Sequence, residues 1–240
     1  MKYLKHFANA QEAATILATW PFNTVSSIQG QTGASINIGV APVPAHEYVD
    51  LGVVLNNKKI LFATKNVGAD TIYEYGNYYA WGETTTKNVY SWNTYKWGTE
   101  NSLTKYNSTD RKVILDSEDD PVYVNMGGQW RSPSKAELDA LLNQTTNVWV
   151  TNYQGSGING RVFTGTNNKT LFIPAAGCYY NANLDDVGSF AYWWTGSLMG
   201  YKNNEQKFGN YLFFYNTECY MNETNRFCGL SARGVFTEDI

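Results

Sequence analysis

The chain predicts an α+β fold: a loop-rich sheet of short strands with about two helices. Three observations predict it. Ser134-Lys135-Ala136-Glu137-Leu138-Asp139-Ala140-Leu141-Leu142 carries a helix signature, with Ser134 as cap, Glu137 completing a capping box and Leu138, Leu141 and Leu142 along one face. Pro133 suits the entry to it. Elsewhere, short runs rich in β-branched and aromatic residues recur between Gly, Asn and Pro punctuation. The 240 residues include 21 Gly and 18 Tyr, a composition suited to turns and strands.

Taken in order, residues 1–45 differ from the remainder and are expected to form a separate segment. Asn9 to Ala18 reads as a short helix, with Asn9 as cap and Glu12 at the capping-box position, stopped by Pro21. Thr24-Val25-Ser26-Ser27-Ile28 and Ala34-Ser35-Ile36-Asn37-Ile38 alternate with period two around Gly30 and Gly33, which reads as a hairpin. Ala41-Pro42-Val43-Pro44-Ala45 is a stiff linker. The main domain, 46–240, begins at Tyr48-Val49-Asp50-Leu51-Gly52. Strands are expected at Lys59–Thr64, Val148–Val150, Arg161–Thr164, Lys169–Pro174, Trp193–Thr195 and Tyr211–Tyr215, with 83–125 polar and irregular. Period-two alternation places Trp193 in the core and Trp194 on the opposite face.

Composition excludes some functions. Charged residues are 16% of the chain and the net charge is -3, with no basic block, so a nucleic-acid partner has no electrostatic footprint. No apolar run is long enough to span a bilayer, and no membrane insertion is expected. The first residues lack a signal-peptide core, so synthesis in the cytoplasm is the expectation.

Catalytic and metal chemistry find little support. Cys178, Cys219 and Cys228 form no Cys-x-x-Cys pair; a Cys219–Cys228 bridge would suit an oxidising setting, and buried free thiols fit better. Glu218 beside Cys219 opposes thiolate formation. Only His6 and His46 are present, so no zinc cluster is expected. Asp116-Ser117-Glu118-Asp119-Asp120 and Asn183-Leu184-Asp185-Asp186 offer oxygen ligands for calcium, but neither has EF-hand spacing. Solvated turns are the preferred reading, with Asp120-Pro121 opening an extended segment. No cofactor and no metal are expected. At least one of Arg131 and Arg233 is expected to be buried and paired; both read as framework residues holding loops to the sheet, and Trp81, Trp130 and Trp193 as core.

The segment from Gly188 to Phe236 is dominated by Trp, Tyr and Asn, types that give rigid contact area and adaptable hydrogen bonds. Tyr192, Trp194, Tyr201, Asn203, Asn204, Tyr215, Asn216, Tyr220, Asn222 and Asn225 are expected to contribute to one exposed ligand-binding surface.

A succession of motifs then carries a resemblance. Tyr48-Val49-Asp50-Leu51-Gly52, Ala63-Thr64-Lys65-Asn66-Val67-Gly68, Tyr78-Tyr79-Ala80-Trp81-Gly82-Glu83, Gly128-Gln129-Trp130-Arg131-Ser132-Pro133-Ser134, Phe172-Ile173-Pro174-Ala175-Ala176-Gly177, Tyr192-Trp193-Trp194-Thr195-Gly196-Ser197 and Gly229-Leu230-Ser231-Ala232-Arg233 fall in order. This pattern, over residues 48–236, resembles the Fibrobacter succinogenes major paralogous domain, common in gut Bacteroidales and their phages. The resemblance implies a C-type-lectin-like fold of the formylglycine-generating-enzyme type, with a twisted antiparallel sheet and two helices. It implies kinship with variable proteins of diversity-generating retroelements, whose C-terminal segment displays a mutable ligand-binding face. Tyr201-Lys202-Asn203-Asn204 and Tyr220 to Phe227 are compatible with adenine-directed diversification. The opening Met1-Lys2-Tyr3-Leu4-Lys5-His6-Phe7 resembles attachment segments of phage structural proteins, and an ordinary extra hairpin fits it equally.

The expectation is therefore a non-enzymatic binding module. It would be a virion-associated phage receptor-binding or tail-tip protein, or an adhesin, whose surface at about 190–228 takes a bacterial surface protein or glycan. A homo-oligomer (a trimer) through residues 1–45 belongs to that expectation. A decoration protein without a dedicated ligand is the alternative, and an oxidase of the formylglycine-generating type the third.

Overall fold

A computed structural model describes residues 46–202 and 204–240. The helix, hairpin and linker expected in 1–45 lie outside the described residues. Those described form a mixed α+β fold, mostly strands in several small sheets, with two α-helices.

The chain opens with β1 (Tyr48–Leu55) and β2 (Lys58–Ala63), an antiparallel hairpin whose two-residue turn is Asn56-Asn57. Both Asn residues sit at positive φ, 51° and 59°. A tight hairpin turn matching the strand twist needs two left-handed residues, and Asn tolerates that region well. β3 (Tyr78–Tyr79), β4 (Gly98–Thr99) and β5 (Ser102–Leu103) punctuate a long irregular stretch. Helix α1 (Pro121–Met126) follows, then α2 (Lys135–Gln144). Strands β6 (Thr146–Val150), β7 (Gly160–Thr164) and β8 (Thr170–Pro174) form an antiparallel sheet. β9 (Cys178–Tyr180) and β10 (Asn183–Asp185) form a ribbon. Then come β11 (Ala191–Leu198), β12 (Phe208–Phe214), β13 (Cys219–Asn225), β14 (Leu230–Ser231) and β15 (Val235–Asp239).

Five of these strands form the largest sheet, in the order β13-β12-β11-β14-β3. It is not wholly antiparallel: β14 runs parallel to β11, with Trp193 opposite Ser231. β15 pairs with β2, so the last strand shares a sheet with the first.

Helix α2 starts as the sequence predicts. The Ser134 hydroxyl accepts from the Glu137 N–H, and the Glu137 carboxylate accepts from the Ser134 N–H. Arg131 grips the same carboxylate with both terminal nitrogens, at 2.7 and 2.5 Å. Helix α1 corrects an expectation. Asp120-Pro121 opens a helix rather than an extended segment: the Asp120 carboxylate accepts from the Val122 N–H and Pro121 takes the first helical position. Proline there loses no hydrogen bond, because the first turn has free N–H groups anyway. Asp119 and Asp120 are buried, not solvated.

The core has three parts. One lies between α2, the β1-β2-β15 sheet, β7-β8 and one face of the large sheet, and includes Leu51, Phe62, Leu138, Phe163, Trp193 and Phe214. The second, on the other face, is aromatic: Trp81, Tyr90, Tyr95, Tyr106, Trp194 and Tyr211. The third joins α1 to Tyr79, Trp130 and Phe236. Trp81, Trp130 and Trp193 are all buried. Gly209 marks the tight approach of the second core: a Cβ there would stand 2.8 Å from the Trp81 ring and 3.0 Å from that of Trp194.

Candidate binding face

The strands β11, β12 and β13 fix a register that sorts their side chains. Tyr192 lies opposite Phe213, and Phe213 opposite Tyr220; Trp194 lies opposite Tyr211, and Tyr211 opposite Asn222. Because successive side chains point to opposite sides of a strand, these residues share one face. Ala191, Trp193, Leu212 and Phe214 share the other and pack into the core beside α2, with Cys219 and Met221 against them.

Phe190, just before β11, and Tyr215, just after β12, continue the first face. Phe213 is its hub, with ring centroids 5.1 Å from Tyr192, 5.4 Å from Tyr220, and 5.7 Å from both Phe190 and Tyr215. Phe190 also meets Tyr215 at 5.5 Å, and Tyr192 meets Tyr211 at 5.6 Å. The face is graded. Tyr211 and Trp194 are covered by the aromatic core, whereas Phe190, Tyr192, Phe213 and Tyr215 are half-buried and Tyr220 is 39% exposed. A contiguous half-open aromatic surface costs free energy in water and commonly marks a contact site.

Two carboxylates flank the rings. The Tyr192 hydroxyl donates to Asp186 Oδ2 at 2.7 Å. Burial, and then that hydrogen bond, push the Tyr192 pKa far up. Glu218 sits across the β12–β13 turn from Tyr215, whose N–H donates to the Glu218 carbonyl at 3.0 Å, and its carboxylate raises the Tyr215 pKa.

The structure brings together Tyr192, Tyr215, Tyr220 and Asn222, and leaves Asn216 exposed at the β12–β13 turn. Trp194 is a correction: it is 2% exposed and its Nε1 donates to the Tyr79 carbonyl at 2.8 Å, so it is core. Its face was rightly opposite that of Trp193, but both faces are covered there. Asn225 pairs with Phe208 and alternates to the side away from the rings. Tyr201 and Asn204 line a separate cleft with Ser108, Arg111, Lys202 and Gln206. Asn203 lies outside the described residues. Residues 219–225 form strand β13. Sequence reasoning missed Phe190, Phe213, Asp186 and Glu218. The alternation of Tyr211, Phe213 and Tyr215 was the available signal for Phe213.

Buried arginines hold this platform. Arg226 is fully buried; its Nε donates to the Tyr95 hydroxyl at 2.8 Å, Nη1 to the Tyr106 and Gln206 carbonyls, and Nη2 to the Lys105 carbonyl, each at 3.0 Å. Arg161 donates to Asn147 Oδ1 and, at 2.7 Å, to the Tyr215 carbonyl, fixing the β12–β13 turn from beneath. Arg233, also buried, donates to Asn66 Oδ1 and the Phe172 carbonyl. Arg131, by contrast, is partly exposed and holds the start of α2.

The chemical alternatives have definite geometries. All three cysteines are free thiols. Cys228 and Cys178 belong to the aromatic core, whereas Cys219 packs on the other side of the sheet. Burial pushes Cys178 and Cys219 up to about 12 and Cys228 up to about 11. Oxygens of Asp116, Glu118 and Asp119 cluster within 4.8 Å of one another. The Lys105 ammonium already sits among them, 2.7 Å from Asp116, 3.5 Å from Glu118 and 2.6 Å from Asp119. Among the described residues, no helix is long and apolar enough to cross a membrane. No family model, curated protein or solved structure matches the chain.

Proposed function

We propose that this chain is a non-enzymatic binding module of a phage tail tip, receptor-binding protein or adhesin. Its ligand is a component of a bacterial surface, and the half-open aromatic face of β11, β12 and β13 is where it binds. One observation carries the reading: Phe190, Tyr192, Phe213, Tyr215 and Tyr220 form a continuous ring cluster on strands whose opposite face is packed in the core. Rigid aromatic anchors on a fixed scaffold recognise ligands with little entropy lost.

A C-type-lectin-like fold is part of the proposal. The pairing of β15 with β2, and the placement of the C-terminal strands in the largest sheet, support it. The raised thiol pKa values weigh against an oxidase, since the thiolate is the reactive form. Assembly through residues 1–45 completes the reading.

The labelled 240-residue chain should bind cells of a Bacteroidales panel. The triple variant Tyr192→Ser/Tyr215→Ser/Tyr220→Ser should lose that binding while keeping a cooperative melt. Equal binding by the folded triple variant would remove this face from the proposal. Deleting residues 1–45 should leave binding by single domains and reduce the sedimenting mass to a monomer's.

A further inference from the structure

Cations lie over aromatic rings at several places in this protein. Lys87 sits over Tyr90 and Tyr95, Lys96 and Lys105 over Trp97, and Arg226 over Trp81. Among the described residues, no Lys or Arg lies over Phe190, Tyr192, Phe213, Tyr215 or Tyr220. Two acidic residues flank them instead. Asp186 accepts from the Tyr192 hydroxyl, and the exposed Glu218 is held at Tyr215 by its carbonyl, which accepts the Tyr215 N–H at 3.0 Å. The nearby Arg161 does not answer them: it lies beneath the β12–β13 turn, buried, and donates to backbone and Asn147.

An exposed ring presents a negative π-face, and a flanking carboxylate adds to that field. The acids are positioned rather than scattered. The Asp186 carbonyl accepts the Phe190 N–H at 3.0 Å, and Phe190 in turn stacks on Phe213, 16° from parallel. The carboxylate end of the face is therefore fixed to its aromatic centre.

We infer that the aromatic face takes a cationic side chain, a lysine or arginine on a basic segment of a protein ligand, between Asp186 and Glu218 and over Phe213. This rests on the binding-module reading and narrows its ligand from protein or glycan to a basic protein segment. Anionic ligands are repelled by the same two carboxylates.

The test uses the full chain labelled with 3-fluorotyrosine, followed by fluorine NMR, with Tyr→Phe variants assigning the Tyr192 and Tyr220 signals. The probes are the peptide acetyl-Lys-Gly-Lys-amide and the same peptide acetylated on both lysines. The cationic peptide should shift both signals, with an affinity at least about fivefold above that of the acetylated one and falling with salt. Asp186→Asn/Glu218→Gln should remove that preference. Both substitutions are isosteric and exposed, so the fold stays intact. Equal response to the two peptides, no response to the cationic one, or a preference undiminished in the double variant would overturn the inference. If the double variant labels cells like the parent while the aromatic triple variant does not, the cationic ligand is refuted and the binding face stands. A neutral oligosaccharide that shifts the same signals in both forms has the same meaning.

Discussion

Trp193 and Trp194 are consecutive residues that hold two different cores together. Each is 2% exposed. The Trp193 indole donates to the Arg233 carbonyl at 3.2 Å on the side facing α2, and the Trp194 indole donates to the Tyr79 carbonyl at 2.8 Å on the side facing the aromatic loops. Strand β11 is thus covered on both faces at this point, and becomes half-open only toward Tyr192.

Trp194→Ala should therefore be as damaging as Trp193→Ala, each costing about 3–5 kcal/mol, because each leaves a large cavity in a packed core. Tyr220→Ala, at an exposed edge of the same face, should cost about 1 kcal/mol or less. Urea unfolding of the three variants measures the contrast. A Trp194→Ala protein as stable as the parent would mean that the aromatic loops do not close over the sheet.

Arg226 should control the order of two segments at once. Its guanidinium joins the Lys105–Tyr106 and Gln206 carbonyls to the Tyr95 hydroxyl. A lysine ammonium cannot span that fork, and the buried acceptors it leaves unpaired make Arg226→Lys cost about 3 kcal/mol. Hydrogen exchange should speed up in 95–106 and 204–207 together while β1 and β2 stay protected. Exchange unchanged in either segment would show that the bonds to that segment contribute nothing.

Acid should destabilise the domain through a small set of carboxyls. Burial alone would raise Asp119, but hydrogen bonds from Lys105, Tyr106 and Lys96 outweigh it and hold the carboxyl below its usual range. Glu137 behaves likewise, with Arg131 prevailing over burial. A depressed folded-state pKa contributes stability that is fully present above the unfolded value and is lost as pH falls through the folded value. Asp120, raised by burial, works in the opposite sense and softens the loss. The melting temperature should fall from about pH 4.5 downward. Asp119→Asn should be less stable at pH 7, by about 3 kcal/mol, because it leaves Lys105 with one buried partner fewer. Its decline between about pH 5 and pH 3 should also be shallower. A slope equal to the parent's would exclude Asp119 as a source.

The three thiols should be inert in the folded state. With Cys178 and Cys219 raised to about 12 and Cys228 to about 11, little thiolate exists at pH 8. Alkylation by iodoacetamide should run about 100-fold slower in the native protein than in urea. Rapid native modification of Cys178 or Cys228 would reopen the case for redox chemistry.

What the sequence determined by itself is what depends on neighbours along the chain. The capping box of Ser134 and Glu137 is closed within four residues, so α2 was legible, and period-two alternation placed Trp193 and Trp194 on opposite faces. The same locality explains the errors. Asp-Pro opens turns, extended segments and helices alike, so α1 was hidden until Ser132 and the α1 backbone gathered around Asp120. Asp119 looked solvated because its partners, Lys96, Lys105 and Tyr106, come from a distant loop. Tyr192, Tyr215 and Tyr220 were legible as surface types. Which of them meet, and that Phe213 centres them while Trp194 is buried, depends on the β11–β12–β13 register and on the segment carrying Tyr79 and Trp81. Alternation assigns a side chain to a face of a strand; only packing between segments far apart in sequence decides whether water reaches that face.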